Sequence, residues 1–283
     1  MIGKSALFVP ASSPAMLNAS RSFNADSLIF DWEDAVDASE KDAARELLIG
    51  ALKHIPFAGK NLIVRINALT TEYWQDDLIA IDQMEIDTIL VPKARPHEIE
   101  QLSAWLDERR RDIGLMAIIE SALAVEEVKE IILASRRMVG ILFGAEDYTA
   151  DMGIERTKEG SEILYARAKL ANAAHAYGIE ALDTPFTSID DLDGLREDTL
   201  VGKKLGYTGK AAISPKHVEL INKIFLPAEE EIQYALRVMN SVAKAKREGK
   251  GAYTLDGKMI DLPIIIRAQK VLERAGLKEG EIR

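Results

Sequence analysis

Val139-Gly140-Ile141-Leu142-Phe143-Gly144-Ala145-Glu146-Asp147 is the stretch that decides how this chain is read. Its apolar run, Val139 to Phe143, has the length of a strand buried on both faces, as in a parallel sheet covered by helices. Two carboxylates, Glu146 and Asp147, arrive together where the run stops. At the carboxyl end of a buried strand they stand at the rim of a sheet, near water and within reach of a ligand. Read alone, Asp147 serves equally well as a helix cap. The argument rests on the recurrence of the same form along the chain.

Upstream, Ser5-Ala6-Leu7-Phe8-Val9-Pro10 is a short strand stopped by proline, and Ser27 to Phe30 runs into Asp31-Trp32-Glu33-Asp34. Asn61 to Asn67 carries Arg65 near its end, Thr88 to Val91 leads to Lys93, and Gly114 to Ile119 ends at Glu120. Downstream, Glu180 to Phe186 and Lys210 to Pro215 complete a set of eight. Helical patterns alternate with these strands: Pro14 to Phe23, a long one after Ser39, Asp76 to Met84, Pro96 to Arg109, Ala122 to Ser135, one closed by Gly178, and one that Ser188 or Asp191 caps. Eight alternations within residues 5–215, with no long polar linker, predict a closed (β/α)8 TIM barrel rather than an open doubly wound sheet. No glycine-rich fingerprint follows the first strand, which argues against a dinucleotide fold. Residues 1–226 are read as the barrel and 227–283 as a C-terminal helical extension: helix from Ala228 to Glu248, a glycine-punctuated loop from Gly249 to Gly257, then helix again.

Composition bounds the function. A formal net charge of −10 argues against unspecific binding to nucleic acid or to an anionic membrane, since phosphate binding needs clustered cations. The absence of cysteine excludes disulfides, thiolate metal sites and a cysteine nucleophile. The N-terminus lacks a signal-peptide pattern and no apolar run approaches membrane-spanning length, so a cytoplasmic location is expected.

In a barrel of this kind the reacting groups sit at the carboxyl ends of the strands. Those ends carry Asp31, Glu33, Asp34, Arg65, Asn67, Lys93, Glu120, Glu146, Asp147, Asp183 and Ser214. Glu120 and Asp147 come from adjacent strands, and two oxygen ligands without nearby Cys or His suit a hard divalent cation, most often Mg²⁺. The competing reading is mutual repulsion relieved by Lys93. Arg65 offers a guanidinium shaped to grip a carboxylate through a pair of hydrogen bonds, or else pairs with Glu33 or Asp34. The four histidines (His54, His97, His175, His217) are scattered, and no His-based metal site or triad is read.

With these residues assembled, the sequence resembles the citrate lyase β-subunit (CitE-like) group of acyl-thioester carbon–carbon lyases, which includes malyl- and citramalyl-CoA lyases. The matching motifs are Leu7-Phe8-Val9-Pro10, Phe30 to Val36 with Glu40 to Arg45, Val64 to Ala68, Val91-Pro92-Lys93, Ile119-Glu120-Ser121, Gly144 to Asp147, and Gly257-Lys258-Met259-Ile260-Asp261. The resemblance implies that Glu120 and Asp147 hold Mg²⁺ and that Arg65 binds the oxo-acid carboxylate. It implies that Asp261 is the acid/base aspartate, brought by a neighbouring subunit's tail over the barrel mouth, and hence a trimer or hexamer. Glu33 and Asp34 are implied to orient metal-bound water and Arg65. The segment from Glu155 to Gly160 and the Asp183-Thr184 pair look more like citrate lyase β-subunits than malyl-CoA lyases. Ala11 to Pro14 and Ser214 to His217 depart from relatives that use free CoA, leaving CoA and an acyl carrier protein both open as the thioester carrier.

The expected reaction is reversible cleavage of a citryl, citramalyl or malyl thioester to an acetyl thioester and oxaloacetate, pyruvate or glyoxylate. Backbone amides near Gly144 and Ala145, with Glu146 beside them, are expected to take up a substrate carboxylate oxygen. The alternatives are a metal-dependent pyruvate aldolase acting on free hydroxy-oxo acids, and a subunit active only within a multi-protein lyase complex.

Overall fold

Eight short parallel strands close into a barrel in chain order: β1 (Ser5–Pro10), β2 (Ser27–Asp31), β3 (Asn61–Arg65), β4 (Thr88–Val91), β5 (Gly114–Ile119), β6 (Met138–Phe143), β7 (Glu180–Asp183) and β8 (Gly209–Ala212). The computed structural model describes residues 2–247, 253–255 and 258–277. Closure is made by β1 against β8, with Ser5 opposite Lys210 and Leu7 opposite Ala212. The helices are α1 (Pro14–Ser20), α2 (Lys41–His54), α3 (Trp74–Ile81), α4 (Pro96–Glu108), α5 (Ala122–Glu126), α6 (Val128–Leu133), α7 (Ala145–Met152), α8 (Leu164–Tyr177), α9 (Leu192–Leu205), α10 (Pro215–Phe225), α11 (Glu229–Arg247) and α12 (Leu262–Arg274). The (β/α)8 architecture expected from the alternation is the one found. The single helix expected over Ala122 to Ser135 is instead two, because Glu127 leaves the helical region at φ −88°, ψ 12°. Its carboxylate there lies 3.2 Å from Arg95.

Strand side chains alternate inward and outward, and the inward set fills the barrel interior: Ala6, Ile29, Ile63, Leu90, Met116, Ile118, Leu142, Leu182 and Ala211, joined by Ile2 and Phe8. A bulge keeps this alternation in step on β6. Leu115 pairs with Met138 but Met116 pairs with Gly140, so Val139 is the extra residue and stands out to solvent.

Outward-facing residues of β7 and β8 make a buried ionic cluster against α8 and α9. Arg167 forks onto Asp183 with Nε at 3.0 Å and Nη2 at 2.5 Å, and its Nη1 reaches Asp198 at 2.9 Å. The Lys210 ammonium donates to Asp183 at 2.9 Å, Asp198 at 2.6 Å and the Thr184 carbonyl at 2.5 Å. Lys210 and Asp183 are both 0% exposed. The cluster is neutral in sum and each carboxylate is hydrogen-bonded, the condition under which buried charge is tolerated.

The chain divides into two compact units, one reaching to Ile224 and one beginning at Phe225. In the second, α11 and α12 pack through Ala235, Val238, Val242, Ala268 and Leu272, joined by Ile260. A two-stranded antiparallel hairpin, β9 (Tyr253–Leu255) with β10 (Lys258–Ile260), occupies part of the stretch read as loop. The dipeptide Asp256-Gly257 between those strands is a hairpin signal in the sequence. Gly249, where that loop was expected to begin, lies outside the described residues.

Removing one member of the ionic cluster strands its partners without water. Lys210→Met is expected to cost about 3–5 kcal/mol, the usual loss when a buried ion pair is broken on one side. The check is the urea unfolding midpoint, and an unchanged midpoint would refute the account.

Candidate active site

Counting on by twos from the inward set gives the floor of a cavity at the carboxyl end of the barrel. Ile29 leads to Asp31, Ile63 to Arg65, Ile118 to Glu120, Leu142 to Gly144, Leu182 to Thr184 and Ala211 to Ile213, and all of these second residues line a cavity of about 400 Å³. Asp34, Ala145, Glu146 and Asp147 line it too.

Arg65 is held before any ligand arrives. Its Nε and Nη2 donate to the two Asp31 oxygens at 2.7 and 2.6 Å, while Nη1 faces Glu33 at 2.9 Å and Asp34 at 3.2 Å. The Phe8 ring lies against the guanidinium, 5.1 Å from its centroid. Burial opposes the charge, but the Asp31 hydrogen bonds and the three surrounding carboxylates outweigh it and raise the pKa. The sequence reading gave Arg65 a free fork or a pairing with Glu33 or Asp34. Asp31 takes the fork and Asp34 accepts from Nη1, with Glu33 in ion-pair contact with the same nitrogen, so of the five guanidinium hydrogens one on Nη1 and one on Nη2 make no hydrogen bond to these acids.

Glu120 and Asp147 meet across the cavity with their carboxyl groups within hydrogen-bonding reach. Glu120 is buried, and burial pushes its pKa up to about 8; the Lys93 amide opposes this, and the negative charges of Glu33 and Asp147 add to it. That amide donates to Glu120 Oε1 at 2.5 Å from a residue with φ +50°, a backbone region that lysine rarely adopts. The Lys93 ammonium reaches Glu33 at 3.2 Å. Burial raises the Glu33 pKa despite the nearby Arg65 charge. The buried Lys41 ammonium anchors the backbone of the same loop, donating to the Trp32 carbonyl at 2.6 Å and the Glu33 carbonyl at 2.8 Å. Lys93 therefore relieves the acidic cluster as one reading anticipated, yet its ammonium is directed to Glu33 and leaves the Glu120–Asp147 pair facing the cavity.

This donor set fits a hard divalent cation. The Asp147 charge beside Glu120 adds to the rise in the Glu120 pKa, and no His or Cys lines the cavity among the described residues. No group of three or more His, Cys, Asp or Glu side chains gathers into a cage among those residues. A cation there is left with coordination positions for water and substrate oxygens.

Several expectations need correction. The Gly144 amide donates to the Ile119 carbonyl at 3.0 Å and the Ala145 amide to Thr184 Oγ1 at 3.3 Å, so neither amide is free for a substrate carboxylate. The first-turn amides of Glu146 and Asp147 in α7 precede the helical ladder, which starts with Tyr148 bonding to Gly144, and they are the better donors. Asp183, taken as a mouth residue, points outward into the ionic cluster. Asn67 turns to Asp77, with contacts of 2.7 and 2.8 Å, and Ser214 accepts from the Lys216 amide at 3.3 Å. Glu146 lines the cavity and lies 3.7 Å from Arg156. Asp261 belongs to the second unit, is exposed, and caps α12 by accepting from the Ile264 amide at 3.2 Å. Thr184 was missed as a site residue, although its parity with Leu182 marks it.

A parallel barrel with paired carboxylates at the carboxyl ends of β5 and β6 is the framework of a metal-assisted enzyme. The model of the HpcH/HpaI aldolase/citrate lyase family matches residues 4–215, and the chain belongs to that family. Citrate lyase subunit beta of Leuconostoc mesenteroides subsp. cremoris is 42% identical over 277 residues, covering 95% of this chain and 92% of that protein. L-malyl-CoA/beta-methylmalyl-CoA lyase of Rhodobacter capsulatus is 33% identical over 296 residues, covering 95% and 93%. The structure of CitE from Mycobacterium tuberculosis in complex with magnesium, acetoacetate and coenzyme A superposes with a TM-score of 0.80 at 30% identity, covering 97% of this chain and 98% of that one. The chain is accordingly a lyase.

Gly144 is where this geometry is easiest to break. A Cβ there would sit 2.6 Å from Glu120 Cβ and 2.8 Å from Glu120 Oε2. Gly144→Ala is expected to cost about 1–3 kcal/mol through overpacking and to weaken divalent-cation binding. Urea unfolding and calorimetric titration check the two effects; wild-type values for both would contradict the packing described.

Proposed function

We propose that this chain is a Mg²⁺-dependent carbon–carbon lyase that cleaves a 3-hydroxy-3-carboxyacyl thioester (citryl, citramalyl or malyl) into an acetyl thioester and a 2-oxo acid. The observation that carries the reading is buried Glu120 facing Asp147 at a cavity, with no lysine or arginine in ion-pair contact with either among the described residues. Relatives named citrate lyase subunit beta and malyl-CoA lyase, and a solved relative holding magnesium and coenzyme A, support it. Glu120 and Asp147 would hold the ion, which when bound supplies Lewis-acid stabilisation of negative charge on substrate oxygens.

The remaining work falls to side chains and backbone. Arg65, fixed by Asp31, Glu33 and Asp34, directs its unspent Nη2 hydrogen at the substrate carboxylate beside the breaking bond. The Glu146 and Asp147 amides receive another carboxylate oxygen at the helix N-terminus. As the bond breaks, the hydroxyl gives up its proton to the surrounding water, its carbon becomes the ketone of the oxo acid, and the electron pair passes to the thioester fragment as an enolate. Asp261 of a neighbouring subunit delivers a proton to that enolate carbon, and removes it in the reverse direction. The placement of Asp261 is supported by its surroundings: Met259 is 71% and Leu262 66% exposed, apolar surface suited to cover by another subunit. The reading carries with it a trimer or hexamer and a cytoplasmic location. Among the described residues no helix is long and apolar enough to cross a membrane.

The name "subunit" carried by several relatives favours a second reading, in which turnover needs partner proteins that present the thioester on an acyl carrier. The aldolase alternative is weaker. His217, the histidine nearest a barrel mouth, is buried with Nε2 against the Ile189 carbonyl at 3.0 Å.

Asp147→Ala is expected to abolish Mg²⁺-dependent turnover, and full activity in that variant would remove the metal assignment. Asp261→Asn is expected to keep oxo-acid binding while losing roughly 10²–10⁴-fold in rate, the usual worth of acid–base catalysis. Release of oxaloacetate, glyoxylate or pyruvate from citryl-, malyl- and citramalyl-CoA identifies the acyl group. Turnover of free 4-hydroxy-2-oxo acids in place of thioesters would overturn the proposal.

A further inference from the structure

The buried ionic cluster of Arg167, Asp183, Asp198 and Lys210 lies outside the cavity, and none of its four side chains lines it. A cluster of this kind stabilises a fold no better than well-packed apolar residues would. Its arrangement has a further effect at the next residue. Lys210 Nζ donates to the Thr184 carbonyl at 2.5 Å, and Asp183, the residue before Thr184, is gripped by both Arg167 and Lys210. Gly202 leaves the space this needs, since a Cβ there would meet Asp183 Oδ2 at 2.5 Å. Thr184 is thereby locked at the carboxyl end of β7 with its side chain turned into the cavity wall, 1% exposed.

From that position Thr184 Oγ1 accepts the Ala145 amide at 3.3 Å. Ala145 is the first residue of α7, the helix whose first turn carries Glu146 and Asp147. Gly144, just before it, donates to the Ile119 carbonyl on β5 at 3.0 Å. The N-terminus of α7 is thus slung between two neighbours of its own strand: backbone from β5 on one side, one hydroxyl beyond β7 on the other. We infer that Thr184 is a positioning residue, which sets the start of α7 and through it the Asp147 carboxylate relative to Glu120, with the ionic cluster holding Thr184 in turn. The inference rests on the proposed use of Glu120 and Asp147 as cation ligands. It adds a specific claim: the hydroxyl matters, and the methyl group does not.

The test compares wild type with Thr184→Val, which keeps the shape and removes the acceptor, and with Thr184→Ser, which keeps the acceptor and removes the methyl. Mg²⁺ affinity is measured by calorimetric titration without substrate, and amide hydrogen exchange is followed in the peptide carrying α7. Thr184→Val is expected to bind Mg²⁺ about 10–100-fold more weakly, the range found when an outer partner of a metal ligand is lost. It is also expected to exchange faster at the start of α7, while Thr184→Ser stays near wild type in both. Should Thr184→Val prove poorly folded by circular dichroism, Thr184→Ala takes its place with the same expectation. Wild-type affinity in a folded Val or Ala variant would overturn the inference alone, as would an equal loss in Thr184→Ser. Failure of the wild-type protein to bind Mg²⁺ would overturn the proposed function together with it.

Discussion

A carboxyl group packed against bare backbone sets the terms for the whole site. Glu120 is buried where its side chain abuts Gly144, and nothing larger than hydrogen fits between them. Because it is out of water and close to two other acids, its charge is costly unless a cation is supplied. The surroundings are arranged to keep that need unmet by protein. Lys93 offers an amide to Glu120 and sends its ammonium to Glu33, and Arg65 is occupied by Asp31, Glu33 and Asp34. The barrel holds this arrangement in place through the parallel register of β5 and β6, which sets Ile119 opposite Phe143 and so brings Glu120 beside Gly144.

Much of this was legible in the amino-acid order. The alternation of apolar runs with helical patterns points to a parallel sheet because each run is too apolar for a half-exposed one, and the count of eight points to its closure into a barrel. Glu120, Asp147 and Arg65 stand out since charge directly after a buried strand has few purely structural uses. Other parts were misread for a definable reason. Strand ends were treated as sets of polar residues, whereas the pleat lets only every second residue look inward. Asp183 was therefore placed at the mouth, and Thr184, which does look in, was passed over as a site residue. Counting by twos from Leu182 separates them. The amides were misjudged differently: whether Gly144 and Ala145 have spare hydrogens depends on partners across the barrel, Ile119 and Thr184, which spacing along the chain does not reveal.

Arg65 shows the division of labour most clearly. A free guanidinium on a flexible stem would lose entropy on gripping a ligand, whereas one clamped by three carboxylates has lost it in folding. The clamp also limits what Arg65 can do. With three of its hydrogens bonded to Asp31 and Asp34 and Glu33 against Nη1, it is an oriented donor with its fork already taken and a positive charge behind it. The apolar part of the cavity wall is made by Phe8, Leu142, Pro185 and Ile213.

The extra residue at Val139 has a consequence far from where it sits. It lies near the start of β6, at the opposite end of the barrel from the cavity, and touches nothing that binds or reacts. Yet if the strand paired straight on, with Val139 opposite Met116, every later residue would exchange the inside of the barrel for the outside. Leu142 would leave the inward set and Gly144 would no longer face Glu120. Loss of the Val139 codon, by contrast, would let Met138 and Gly140 follow one another opposite Leu115 and Met116, and would leave the reactive groups where they meet.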